Sequence, residues 1–286
     1  FLIRPRRFGK SLFLNMLNCY YDVKYADRFE ELFGNQYIGK HPTAEQGKYL
    51  VLRFNFSMVR ATDDKLEAAF NRHISLETAY FASVYASYFK PDFQEQLKLI
   101  PEAAGRLEYI CLCAKEQGLS IYLLIDEYDN FTNTILSSKG NDVYHSLTHD
   151  SGFYRSFFNV VKGVTTGAEA PVKRMFITGV SPVTLDDVTS GFNIGTNITT
   201  DERFNSMVGF SESELHEMLS YYQSEGMLVD SIDDIVRMMK PWYDNYCFAK
   251  ECIGQTMYNS DMVLYFLNNY LQRKRPPSEM VDRNIR

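Results

Sequence analysis

No apolar run in this 286-residue chain approaches the roughly eighteen residues that a membrane-spanning helix needs. The longest informative one, Ile121 to Ile125, has the length of a buried strand. A membrane partner is therefore not expected. No signal-peptide pattern is visible either, although the chain starts at Phe1 without an initiator Met, so silence on targeting excludes little. Basic charge is not in excess: 30 Lys and Arg against 36 Asp and Glu leave a formal charge of -6. Such a surface repels a polyanion over most of its area, which argues against general nucleic-acid binding and leaves room only for a local basic patch. A disulfide framework is missing too. The cysteines are Cys19, Cys111, Cys113, Cys247 and Cys252, an odd number without the pairing of pairs that metal sites show. Free thiols in a reducing, cytoplasmic compartment are expected. His145 and His149 have helical spacing, but Ser146 and Leu147 follow the first, so the H-E-x-x-H zinc pattern is not met.

What is present fits a globular protein with a substantial core. Hydrophobic residues make up 45% and charged residues 23%. The 20 Tyr and 21 Phe are expected mainly in that core, with some available for a protein partner or self-association. Apolar strands alternate with long helical stretches: Phe1 to Ile3, Tyr49 to Phe56, Ile121 to Ile125 and Met175 to Val180 read as strands. Residues 62 to 118 read as mostly helical, divided by Pro91 and Pro101, and a further helical stretch is expected near Val143 to Val161. This alternation predicts an α/β fold with a parallel sheet and flanking helices. From about Phe210 the pattern becomes helical, beginning with Ser211 as a cap candidate. The expected division is a core over residues 1–205 and a smaller helical module over 206–286.

Two motifs carry chemistry. Arg4 to Ser11, RPRRFGKS, follows the G-x-x-x-x-G-K-[ST] phosphate-loop pattern except that Arg4 stands at its first glycine. Gly9 lets backbone N–H groups of the Arg6, Arg7, Phe8, Gly9, Lys10, Ser11 and Leu12 segment turn toward phosphates. Lys10 can reach the β and γ oxygens, Ser11 can join Mg²⁺ coordination, and the helix N-terminus adds positive potential. A basic turn that is merely solvated, or that touches nucleic acid, is the alternative. The missing glycine implies an altered loop, weaker affinity, or binding without efficient turnover. The second motif is Asp126 and Glu127 at the end of the apolar strand. In open parallel sheets ligands bind at that edge. Asp126 is the metal candidate, and Glu127 is the candidate for orienting or deprotonating an attacking water. Asp129 reads as structural. Thr178 and Ser181, at the tip of the third strand, are candidates for sensing the γ-phosphate, Thr178 ahead.

RPRRFGKSL at Arg4 to Leu12, LLIDEYDN at Leu123 to Asn130 and FITGVSPVTL at Phe176 to Leu185 resemble the bacterial AAA-ATPase-like family, relatives of the signal-transducing P-loop ATPases. The likeness continues through Ile198 to Leu215, WYDNYCF at Trp242 to Phe248 and MYNSDMVLYFL at Met257 to Leu267. It implies a P-loop NTPase core, a helical, winged-helix-like module, ATP and Mg²⁺ as cofactors, and hydrolysis that drives a switch or motor. Lys10 and Ser11 match the family's phosphate-loop residues, and Asp126 and Glu127 its carboxylates. The arginine-rich loop is common in that family. In WYDNYCF, Asn245 replaces the usual Gly and Cys247 the usual Arg; Asn tolerates left-handed backbone, so the turn is expected to survive. Relatives often continue into a PD-(D/E)XK nuclease-like domain, of which residues 1–286 carry no motif. A non-hydrolysing nucleotide-binding module and a nucleic-acid-associated module are the competing functional classes.

Overall fold

The computed structural model describes residues 1–59, 65–149, 152–182 and 195–282. Residues 62–64 of the expected helical region and residues 183–185 of the third motif lie outside the described residues. The chain forms two compact units: Phe1–Ile3 with Leu14–Thr196, and Arg4–Phe13 with Asn197–Arg286.

The first unit is a parallel sheet clothed in helices. Its strands are β1 (Leu2–Ile3), β2 (Leu50–Asn55), β3 (Ile121–Asp126) and β4 (Val172–Gly179), in the order β1-β4-β3-β2. Every residue of β3 is buried, as expected of a central strand covered on both faces. Fully burying an aliphatic side chain such as Leu123, Leu124 or Ile125 contributes about 1.5–3 kcal/mol relative to exposure. In register, Asn55 lies beside Asp126, and Ile125 beside Ile177. The carboxyl ends of β2, β3 and β4 thus meet at one edge of the sheet.

Helix α1 (Lys10–Tyr21) follows the loop after β1. The short helices α2 (Phe29–Phe33) and α3 (Tyr37–Lys40) come next, then α4 (Leu66–Val84), α5 (Phe93–Lys98) and α6 (Ala103–Glu116). Between β3 and β4 run α7 (Asn130–Lys139), α8 (Asn141–Thr148) and α9 (Phe153–Thr165). The larger core joins Leu52, Phe54, Leu123 and Ile125 to Phe70, Phe157 and their neighbours. The opposite face of the sheet buries Val51, Tyr122 and Leu124 with Leu14 of α1. The helical stretch expected near Val143 to Val161 comprises α8 and α9, with His149 in extended backbone after α8 and residues 150–151 outside the described residues. Helix α7 was not expected at all.

The second unit holds three longer helices, α10 (Glu212–Ser224), α11 (Ile232–Tyr243) and α12 (Ser260–Arg273). Each start is fixed by its own sequence. Ser211 forms a capping box with Glu214, Ser231 accepts from Asp234 N, and Asn259 accepts from Met262 N. Each such cap stabilises its helix by about 1 kcal/mol. Leu215, Leu219, Ile235, Met239, Val263 and Phe266 form the shared core. Antiparallel bridges pair Phe210 with Tyr258 and Tyr246 with Met257. Asn245 stands at φ 94°, so the position where Gly was expected does require positive φ. Among the described residues no helix is long and apolar enough to cross a membrane.

Candidate functional site

In the first unit the site is the tip of β3. Asp126 is fully buried there. Thr178 at the end of β4 donates from Oγ1 to Asp126 Oδ1 at 2.7 Å. The other oxygen, Oδ2, makes no hydrogen bond among the described residues, and the Arg53 guanidinium of β2 stands 3.7 Å from it. A buried carboxylate oxygen without a donor costs on the order of 1–3 kcal/mol, and a ligand, an ion or a water at that oxygen would offset it. Glu127 follows in the left-handed region at φ 49°, half-buried, with Asn130 Nδ2 donating to its Oε2 at 3.1 Å. A non-glycine residue there carries strain, which concentrates at functional positions.

The surroundings hold this tip still. Tyr128 N donates to Thr178 O at 3.1 Å, and the Tyr128 and Tyr154 hydroxyls donate to the carbonyls of Ser181 and Tyr128. Gly179 must be glycine: a Cβ there would sit 2.3 Å from the Tyr128 ring. Asp129 plays the structural part expected of it. Its buried carboxylate accepts from Val180 N at 3.1 Å and Ser181 N at 2.6 Å, fixing the exit from β4. Ser181 thus contributes backbone to this turn.

In the second unit the site is the loop itself, and its chemistry is mostly internal. Lys10 opens α1, is buried, and donates from Nζ to the carbonyls of Arg4 at 2.9 Å and Pro5 at 2.8 Å. The loop turns through Arg7 at φ 66° and Gly9 at φ 89°, the second a conformation that suits glycine. Ser11 and Leu12 are exposed on the first turn of α1, as is Arg6 before it. Phe8 is fully buried, edge-on to Tyr246 at 4.7 Å and Phe248 at 5.5 Å.

Arg4, the residue in place of the first glycine, is an anchor. Its guanidinium donates to Thr199 O at 2.7 Å and Phe204 O at 2.8 Å, and lies 3.9 Å over the Phe248 ring. Burial lowers its pKa to about 10, still far above neutrality. Arg7 pairs with Asp261 at 2.8 Å and Asp282 at 3.5 Å, and the hydrogen bond to Asp261 raises its pKa. The start of α12 also holds the loop: Asn259 Nδ2 donates to Arg6 O at 3.2 Å, and Asp261 N to Arg7 O at 3.3 Å.

The structure therefore brings Asp126, Glu127 and Thr178 together in one unit, and Arg6 to Leu12 in the other. Sequence reasoning missed Arg53, Asn259 and Asp261. A lone charge inside the apolar strand YLVLRFNF was the available signal for Arg53. A concavity of about 960 Å³ lies between α6 and α9 and is lined also by Ala170 and Pro171. That is the amino end of β4, opposite the edge where parallel sheets bind ligands, so it is not the candidate site. Among the described residues no cluster of His, Cys, Asp and Glu forms a metal cage.

Residues 1–189 match the family described as Predicted AAA-ATPase. The "Uncharacterized protein in vnfD 5'region" of Azotobacter chroococcum mcd 1 is 25% identical over 274 residues, covering 93% of this chain and 44% of that protein. The chain thus spans less than half the length of this relative. No solved structure matches it.

Proposed function

Since this chain belongs to the AAA-ATPase-like family of P-loop proteins, we propose that it binds ATP with Mg²⁺ and hydrolyses it as a molecular switch or motor. The observation that carries this reading is Asp126. A fully buried carboxylate at the tip of a central strand, with one oxygen held by Thr178 and the other without a hydrogen bond among the described residues, suits a divalent cation or its water.

In this reading Asp126 and Ser11 hold the cation, whose chemistry is to neutralise charge spreading over the phosphate oxygens. The backbone of Arg6, Arg7, Phe8, Gly9, Lys10, Ser11 and Leu12 cradles the phosphates at the start of α1. Lys10 exchanges its carbonyl partners for phosphate oxygens; until then they keep its ammonium inside the loop. Glu127 orients the attacking water and takes its proton, while Asn130 steadies the carboxylate. Thr178 acts through Asp126, because its hydroxyl proton is committed there. The contacts of Arg4, Phe8 and Asn259 within the second unit support a module over residues 206–286 that is mechanically continuous with the phosphate loop.

Calorimetric titration of ATP with Mg²⁺, with Lys10→Ala as matched control, tests the site. Saturable binding that vanishes in the variant is expected; equal binding by both proteins would sink the assignment. Glu127→Gln then separates hydrolysis from binding: ATP affinity is kept and multiple turnover is lost. Turnover equal to wild type would remove Glu127 from the reaction.

A further inference from the structure

On β2, Leu50, Leu52 and Phe54 enter the larger core, whereas Val51 and Arg53 lie on the α1 side of the sheet. Arg53 is thus the one charged residue of β2, and its guanidinium faces polar partners. One guanidinium nitrogen donates to Asn15 Oδ1 of α1. Another stands 3.7 Å from Asp126 Oδ2, close enough to offset its charge but not donating a hydrogen bond. The same side chain borders a partly open cavity of about 270 Å³ with a mixed lining, in which Asn15, Asp22, Lys24 and Glu77 are the polar and charged groups beside apolar ones such as Val51 and Phe81. Burial raises the Glu77 carboxyl, and the charge of Arg53 opposes that shift. Arg53 thus has two acidic neighbours, Asp126 at the sheet edge and Glu77 of α4.

We propose that Arg53 is a positioning residue that stands in for the divalent cation at Asp126, neutralising the buried carboxylate until the cation arrives and then withdrawing toward Glu77 and the cavity. This rests on the reading that Asp126 serves a cation. The physical argument is competition. A buried carboxylate without a counter-charge is strongly unfavourable, so the nucleotide-free fold requires a cation near it. A guanidinium at 3.7 Å meets that need while leaving the Oδ2 lone pairs unused. Once a divalent ion is bound, the guanidinium repels it and must move. The cavity gives it room, and Glu77 gives it a partner.

Titration of Mn²⁺ alone into the nucleotide-free chain, read by electron paramagnetic resonance, tests the idea without relying on activity. Arg53→Gln keeps a donor for Asn15 but removes the competing charge, and should bind Mn²⁺ about tenfold more tightly than wild type. Arg53→Lys restores the charge and should return affinity toward wild type. Adding Asp126→Asn to Arg53→Gln should abolish the gain. Glu77→Gln, on α4 rather than on the strand tip, should weaken Mn²⁺ binding several-fold by removing the partner for the withdrawn guanidinium, and it serves if Arg53→Gln does not fold. Unchanged or weaker binding by Arg53→Gln, a gain that survives Asp126→Asn, or wild-type affinity in Glu77→Gln overturns the proposal. The ATP titration with Lys10→Ala is independent of Arg53, so failure here and failure of the nucleotide reading are told apart.

Discussion

The tip of β3 and the loop from Arg4 to Ser11 are the two chemically loaded regions of the molecule, and they are built on opposite plans. At the tip, the decisive group is an acid hydrogen-bonded on one side only: Thr178 serves Asp126 Oδ1, and none of the described residues donates to Oδ2. In the loop the decisive groups are cations that the fold has already engaged. Arg4 holds two carbonyls and an aromatic face, Arg7 two carboxylates, and Lys10 two carbonyls of the loop itself. The difference teaches that a motif's residue types do not tell how they are used. Of the loop's four basic residues, Arg4 has become part of the scaffold, and the departure from the general glycine pattern is a packing device.

That contrast can be broken by substitution. Replacing Arg4 by Gly, which restores the general pattern, should cost the most, about 2–4 kcal/mol, by removing two charged hydrogen bonds and a cation–π contact. Urea denaturation reads it, and a loss below about 0.5 kcal/mol would mean that Arg4 is not the scaffold described here. Thr178→Val keeps the shape of the strand tip but takes the donor from Asp126 Oδ1. A loss of about 1–3 kcal/mol is expected by the same measurement, because the carboxylate then lies buried without its hydrogen bond. A neutral result would place Thr178 outside the support of Asp126. Asn259→Ala should have the smallest effect, about 1 kcal/mol, since it removes one helix cap together with one bond to the loop. If it cost more than Arg4→Gly, the start of α12 rather than Arg4 would be the main anchor.

Much of this architecture is legible in the sequence because its signals are local. The unbroken apolar run of β3 announces a strand covered on both faces, and Ser211 with Glu214 announces the start of α10. Asn245 could be read as a substitute for glycine because its backbone requirement belongs to that residue alone. Helix α7 escaped because NFTNTILSSK is polar and buries only Phe131, Thr132 and Ile135, too short a stripe to read as a helix face. Arg53 escaped for a different reason. Its meaning depends on Asp126, a partner in another strand that only the sheet order brings beside it. Asn259 and Asp261 lie in a segment whose resemblance is plain, yet nothing local says that they grip Arg6 and Arg7.

The Arg7–Asp261 contact joins residues 254 positions apart. During synthesis at about 5–20 residues per second, Asp261 therefore emerges well after the loop that it holds. A nascent chain that stops at residue 189 contains every residue of the phosphate-loop motif and none of the partners at Thr199, Phe204, Phe248 or Asn259 that give it shape. The loop's full set of contacts is therefore completed only after these partners are made. Such a product would keep the bonds of Lys10 to the Arg4 and Pro5 carbonyls but lose the contacts that Arg4, Arg6 and Arg7 make with distant residues.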